Sequence, residues 1–119
     1  MKIFLHGADL FFAAKAKAMC DATGATMISL RGSGPFPETA NAPVFVDLAG
    51  RDATAALAAL KAAGAVPLIA FGSHIHAARL EEARAAGAEE AIPNSRFESR
   101  LRELLKAKIL SADDADDAD

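Results

Sequence analysis

The sequence predicts an α/β domain built on five parallel strands with helices on both faces. Three observations carry this. Short apolar runs alternate with longer Ala-rich runs along most of the chain. Three of the longer runs end in glycine just before the next apolar run, the punctuation of a strand–helix alternation. The apolar runs are continuous, as strands covered on both faces should be. Right-handed crossovers then place the strands in one parallel sheet.

Taken in order, "KIFL" (2–5) is the first strand and ends at His6-Gly7. Asp9 stands where an N-cap would, and "LFFAAKAKAMCDA" (10–22) follows as a helix rich in good helix formers, with Gly24 closing it. "TMISL" (26–30) is the second strand. "RGSGPFPETANAP" (31–43) holds Gly and Pro at a density that forbids a long helix. "VFVDL" (44–48) is the third strand, Gly50 and Asp52 punctuate, and "ATAALAALKAA" (53–63) is a helix ending at Gly64. "PLIAF" (67–71) is the fourth strand. Ser73 can cap "HIHAARLEEARAA" (74–86), which ends at Gly87. "EEAI" (89–92) is a short fifth strand, and Ser95 can cap "RFESRLRELLKAKIL" (96–110). That last helix gathers Phe97, Leu101, Leu104, Leu105 and Leu110 near one face. The link from the second strand to the third lacks a good helix. One sheet face is therefore expected to carry a strip that the 31–43 loop fills, with Phe36 as its anchor, or that serves as an interface.

Composition bounds the rest. At 119 residues, 52% hydrophobic and 24% charged, the chain fits one globular domain that can bury a core without disulfides or structural metal. The single cysteine, Cys20, cannot form an internal bridge, and the N-terminus lacks a signal-peptide pattern, so a cytoplasmic location is expected. No apolar run is long enough to span a membrane. The net charge of −3 is dominated by "SADDADDAD" (111–119), which holds five of the 16 acids; the remainder sets 13 basic side chains against 11 acidic ones. That balance is too weakly basic to point to nucleic acid. The acidic end has no apolar residue larger than Ala and is expected to be a disordered, solvated tail.

The second half, "PLIAFGSHIHAARLEEARAAGAEEAIPNSRFESRLRELL", resembles the end of the receiver domain of bacterial two-component response regulators, the CheY-like fold. "AAGAEEAI" carries most of the likeness. "VFVDLAG" resembles that family's phosphoacceptor strand, and "KIFLHGADLFF" its first strand and helix. The resemblance covers residues 1 to about 106. It implies a flavodoxin-like doubly wound sheet of order 2-1-3-4-5 with the second helix reduced to a loop. Residues 1–110 would form this domain and residues 111–119 the tail.

The resemblance also implies a chemistry, and most of its parts are missing. Acceptor phosphorylation is metal-assisted phosphoryl transfer, and a hard metal wants carboxylate oxygens. The family supplies a pair of acids after the first strand, where this chain reads Gly7-Ala8; Asp9 follows at the start of the helix. The family's hydroxyl at the end of the fourth strand corresponds to Gly72, with Ser73 one step on, and its lysine after the fifth strand to Asn94. Asp47 alone remains, at the phosphoacceptor position. The chain thus resembles a degenerate pseudo-receiver.

Other candidates are weaker. His6, His74 and His76 all fall just past strand ends, the edge where open α/β sheets bind ligands. A sharp alternative groups His6, Asp47 and either His74 or His76 around a transition metal; the plain reading makes each a polar loop residue. His74 and His76 diverge by about 200° at a helix start and do not chelate together. "GSHIHAA" offers a helix N-terminus of the kind that holds anions. "RGSGP" contains G-x-G but leads into a Pro-rich loop, so it is no dinucleotide fingerprint. Cys20 reads as a buried thiol with no base near it in sequence. Phe11 and Phe12 point about 100° apart, so either both are core or one faces a partner. Arg79, Arg84, Arg100 and Arg102 against Glu81, Glu82, Glu89 and Glu98 read as solvated helix faces, or as the salt-bridged face of a homodimer.

The function expected from the sequence is a stand-alone receiver-like signalling and interaction module, not an enzyme. It would have protein partners, a homodimer among them, and no nucleic acid, membrane, cofactor or resident metal. Its strand-end pocket would comprise His6, Gly7, Ala8, Asp9, Asp47, Gly72, Ser73, His74 and Asn94. The alternatives are a small-ligand or metal-binding protein using that pocket, and an atypical phospho-receiver at Asp47.

Overall fold

β1 (Lys2–His6), β2 (Thr26–Leu30), β3 (Val44–Asp47), β4 (Leu68–Gly72) and β5 (Glu90–Pro93) pair in parallel in the order β2-β1-β3-β4-β5. This is the doubly wound order expected from the sequence. The structure, a computed structural model, describes the backbone of residues 1–118 and the side chains of residues 1–107. The helices are α1 (Leu10–Ala22), α2 (Ala53–Ala63), α3 (Ala77–Ala86) and α4 (Phe97–Ala118). The expected disordered tail at 111–119 and the packing of Leu110 fall on residues whose side chains lie outside the described set. Among the described residues, no helix is long and apolar enough to cross a membrane.

The pleat sorts the strand residues into two cores. Phe4, Val44, Val46, Leu68 and Ala70 face α2 and α3, where Ala56, Leu57, Leu60 and Ala83 meet them. Ile3, Leu5, Phe45, Ile69 and Phe71 face α1 and α4, where Ala16, Cys20, Phe97, Leu101 and Leu105 meet them. Burial also pushes the Cys20 thiol pKa up, which suits a core residue and not a nucleophile. Phe12, Phe45, Phe71 and Phe97 stack edge to face on this second side, Phe12 lying 5.0 Å from Phe71 and 5.2 Å from Phe97 between ring centroids. Phe11 meets this group only at its edge, with its ring 5.4 Å from that of Phe12. It is 64% exposed, with Lys15 Nζ 5.3 Å from its ring centroid, so one of the adjacent pair is a surface residue.

The loop of residues 31–43 replaces the second helix and contains one 3₁₀ turn, Pro37–Thr39. It covers the strip itself. Phe36 is buried against Leu30, Val44 and the α2 side of the sheet. Thr39, fully buried, donates its hydroxyl to the Phe36 carbonyl at 2.8 Å. Gly34 lets the loop come close. Its φ is +97°, and a Cβ there would sit 2.7 Å from Ala59 Cβ.

Local capping departs from expectation in two places. Asp9 caps α1 as anticipated, accepting from the Phe12 N–H at 3.1 Å. Ser73 does not cap α3. Residues 73–76 form a turn closed by His76 N–H to the Ser73 carbonyl at 3.1 Å, and the helix begins only at Ala77. Ser95 lies inside a 3₁₀ turn, Asn94–Arg96, ahead of α4. β4 and β5 also each end one residue later than their apolar runs suggest.

Charge pairs on α3 and α4 close within the chain. Arg100 grips Glu90 with two bonds, 2.9 and 2.7 Å, fastening α4 to β5. Glu98 receives Lys15 and Arg102, both at 2.9 Å, and Arg84 pairs with Glu81. Arg84, Arg100, Arg102 and Glu98 are therefore paired within the chain, whereas Arg79 and Glu82 join no ion pair among the described residues.

Because Phe36 takes the place of a helix, Phe36→Ala is expected to cost about 3–5 kcal/mol in urea or thermal unfolding. Phe11→Ala on the exposed face should stay within about 0.5 kcal/mol of wild type.

Candidate functional site

Every residue singled out for the strand-end pocket sits at or beside the C-terminal edge of the sheet, but Asp47, Gly72, Ser73 and Asn94 line one cleft, His6 and Gly7 another, and Ala8, Asp9 and His74 neither. The division follows from register. His6 pairs with Val46, so its side chain shares the α2/α3 face, whereas Asp47 is one residue on and belongs to the opposite face beside Phe71. A metal held jointly by His6 and Asp47 is therefore not what the fold builds. Among the described residues, no three His, Cys, Asp or Glu side chains come together in a metal-binding group.

The first cleft, of about 220 Å³, is lined by Asp47, Gly72, Ser73, His76, Arg79 and Asn94. Asp47 is its buried acid, only 4% exposed. One carboxylate oxygen accepts the Ala49 N–H at 2.9 Å. Burial pushes its pKa above the ordinary 3.8; the Ala49 N–H opposes this, and the Asp9 charge reinforces it. Asp9 itself is exposed and its carboxylate caps α1. Ser73 Oγ accepts from the Ile75 N–H at 3.4 Å, and Asn94 is exposed on the far side.

His74 is exposed and outside this lining; His76 takes its place because α3 starts late. Arg79 was read from sequence only as a surface charge. A start at Ala77 brings Arg79 into the first turn, over the cleft. The oxygen donors around Asp47 do not fit a magnesium ion of the kind phosphoryl transfer uses. Asp47 is the one carboxylate named in the lining, the nearby Asp9 is engaged as a helix cap, and a cation, Arg79, lines the same space.

The second cleft, of about 300 Å³, is lined by His6, Gly7, Arg31, Gly32, Arg51 and Asp52. His6 and Gly7 are the expected residues here, while Ala8 packs toward the α1/α4 core. Between the clefts the loops after β1 and β3 touch. A Cβ on Gly50 would lie 2.8 Å from the Gly7 carbonyl oxygen. Gly7 has φ +69°, which bends the chain away from the edge.

No family model matches this sequence, and no curated protein does. Among solved structures, the chain is similar to an atypical orphan response regulator reported to have a new phosphorylation-independent regulatory mechanism. The match has a TM-score of 0.59 at 13% identity and covers 86% of this chain and 96% of that one. The fold is receiver-like. Asp47 ends the third strand of that receiver-like sheet, and the first cleft opens above it.

Two outcomes are expected. Ionising Asp47 costs more in the folded than in the unfolded chain, so its contribution to stability weakens as pH rises from 3.8 through its raised folded value. Asp47→Asn keeps the acceptor for Ala49 and should raise the melting temperature at pH 7. The gain should shrink as pH is lowered through the raised folded value and be gone below about 3.8, read by thermal scans across pH. Gly50→Ala should cost about 1–3 kcal/mol, because the atom it meets is backbone.

Proposed function

We propose that the chain is a receiver-like signalling and interaction module that works through protein contacts and not through conventional phosphoryl transfer. The observation that carries this is Asp47. It is a buried acid at the end of the third strand, with a raised pKa and a donor set around it that does not suit Mg²⁺. Receiver chemistry needs acids after β1, a hydroxyl ending β4 and a lysine after β5. The corresponding positions are Gly7-Ala8, Gly72 and Asn94. The solved structure it resembles is described as phosphorylation-independent, which agrees with this reading.

On this reading the module is not an enzyme and holds no cofactor. Its contacts use the rim of the Asp47 cleft. Leu10 is 89% exposed beside Asp9, and Ile75 is 75% exposed beside Ser73 and His74, so apolar side chains flank the acid in sequence on two loops. A homodimer is one form such contact can take. The unbridged Cys20 agrees with a reducing cytoplasm.

Intact mass after incubation with acetyl phosphate and Mg²⁺ tests the chemistry, on wild type and Asp47→Asn. No mass gain in either is expected. A phosphate-sized gain in wild type alone would make Asp47 a working acceptor and overturn the proposal.

A further inference from the structure

The second cleft holds an arrangement that the receiver-like reading does not use. His6 is fully buried, with its ring edge-on to Phe36 at 5.8 Å. Its Nε2 lies 2.6 Å from the Gly32 carbonyl oxygen. A carbonyl only accepts, so Nε2 carries a hydrogen, and in the tautomer with its single hydrogen there Nδ1 is a bare acceptor. Nδ1 is buried and has no hydrogen-bond partner. Such an atom is costly unless a donor reaches it.

Two arginines share the lining, Arg31 after β2 and Arg51 after β3. Neither joins an ion pair among the described residues, although most cations on α1, α3 and α4 do. Asp52 lies on the same rim, also unpaired. The cleft stands above β1 and β3, where the strand order reverses, the position at which open α/β sheets bind ligands. Its volume of about 300 Å³ suits a small ligand.

We propose that this cleft binds a small phosphate compound that carries an O–H donor. The two guanidinium forks match the charge and geometry of phosphoryl oxygens. The buried Nδ1 receives the O–H. The Asp52 carboxylate repels a bare dianion and accepts a further hydroxyl, so the cleft discriminates against an oxyanion without a proton to give. The site is separate from Asp47 and stands or falls independently of the receiver-like reading.

Inorganic phosphate is the probe, since near neutral pH it keeps an O–H; sulfate, at matched ionic strength, is the comparison. Amide spectra of the full chain are followed on titration at pH 7. Saturable shifts are expected at Gly7 and Gly32, with half-saturation about tenfold lower for phosphate than for sulfate, the discrimination one good hydrogen bond supplies. Arg31→Gln with Arg51→Gln, both exposed and safe for folding, should abolish them. Lys2→Gln, at the opposite edge, should not. His6→Phe should bring phosphate down to the level of sulfate. Equal, non-saturating shifts with both anions, shifts that survive the double arginine variant, or shifts centred on Ser73 and Asn94 would each overturn the proposal.

Discussion

Burial of β3 on both faces is the constraint on which the other features depend. Val44, Phe45, Val46 and Asp47 are all buried, because β1 and β4 flank the strand and helices cover both sides. Three apolar residues satisfy that environment and the fourth does not. Asp47 is therefore a carboxylate held where water is scarce, with the Ala49 N–H as its compensation. Its raised pKa and its place at the strand end come from the same cause. An acid in such a position is sensitive to whatever approaches the cleft above it, with or without a covalent step.

The same double burial explains the loop that stands in for a helix. A sheet face must be covered, and a Pro-rich stretch cannot provide a helical ridge. Phe36 does the covering with one large ring, and Gly34 and Thr39 hold the loop tight enough for that ring to reach. The arrangement also fixes His6. The ring that fills the strip touches the imidazole edge, and the loop carbonyl of Gly32 accepts its N–H. The cover of one face and the character of the second cleft are thus one structural solution.

At the sheet edge, two clefts of opposite chemistry lie side by side. The Asp47 cleft has a buried acid at its floor, and the His6 cleft a buried acceptor with arginines at its rim. The contact between Gly7 and Gly50 separates them, so a shift in either loop is felt by both. On the two proposals made above, such an edge would set a protein-facing side and a ligand-facing side within a few residues of each other.

Much of this was legible in the chain. The apolar runs, the glycines at 24, 64 and 87 and the Asp9 cap gave the element order, and the likeness of "VFVDLAG" and "AAGAEEAI" to receivers gave the strand order. The residues on which the proposed loss of phosphoryl chemistry rests, Gly7-Ala8 and Asn94, were also visible there. What the sequence by itself determined was therefore local: which residues form strands, where helices stop, and which chemical groups are present. The tertiary structure decided which groups meet. One residue of register puts His6 and Asp47 on opposite faces. The turn over residues 73–76 moves the cap of α3 from Ser73 to His76, and His76 and Arg79, not His74, line the cleft. Arg31 and Arg51 are 20 positions apart and converge only because β2 and β3 both flank β1. The physical reason is that propensity and capping act over a few residues, whereas side-chain meetings depend on pleat parity and strand order, which no single segment encodes.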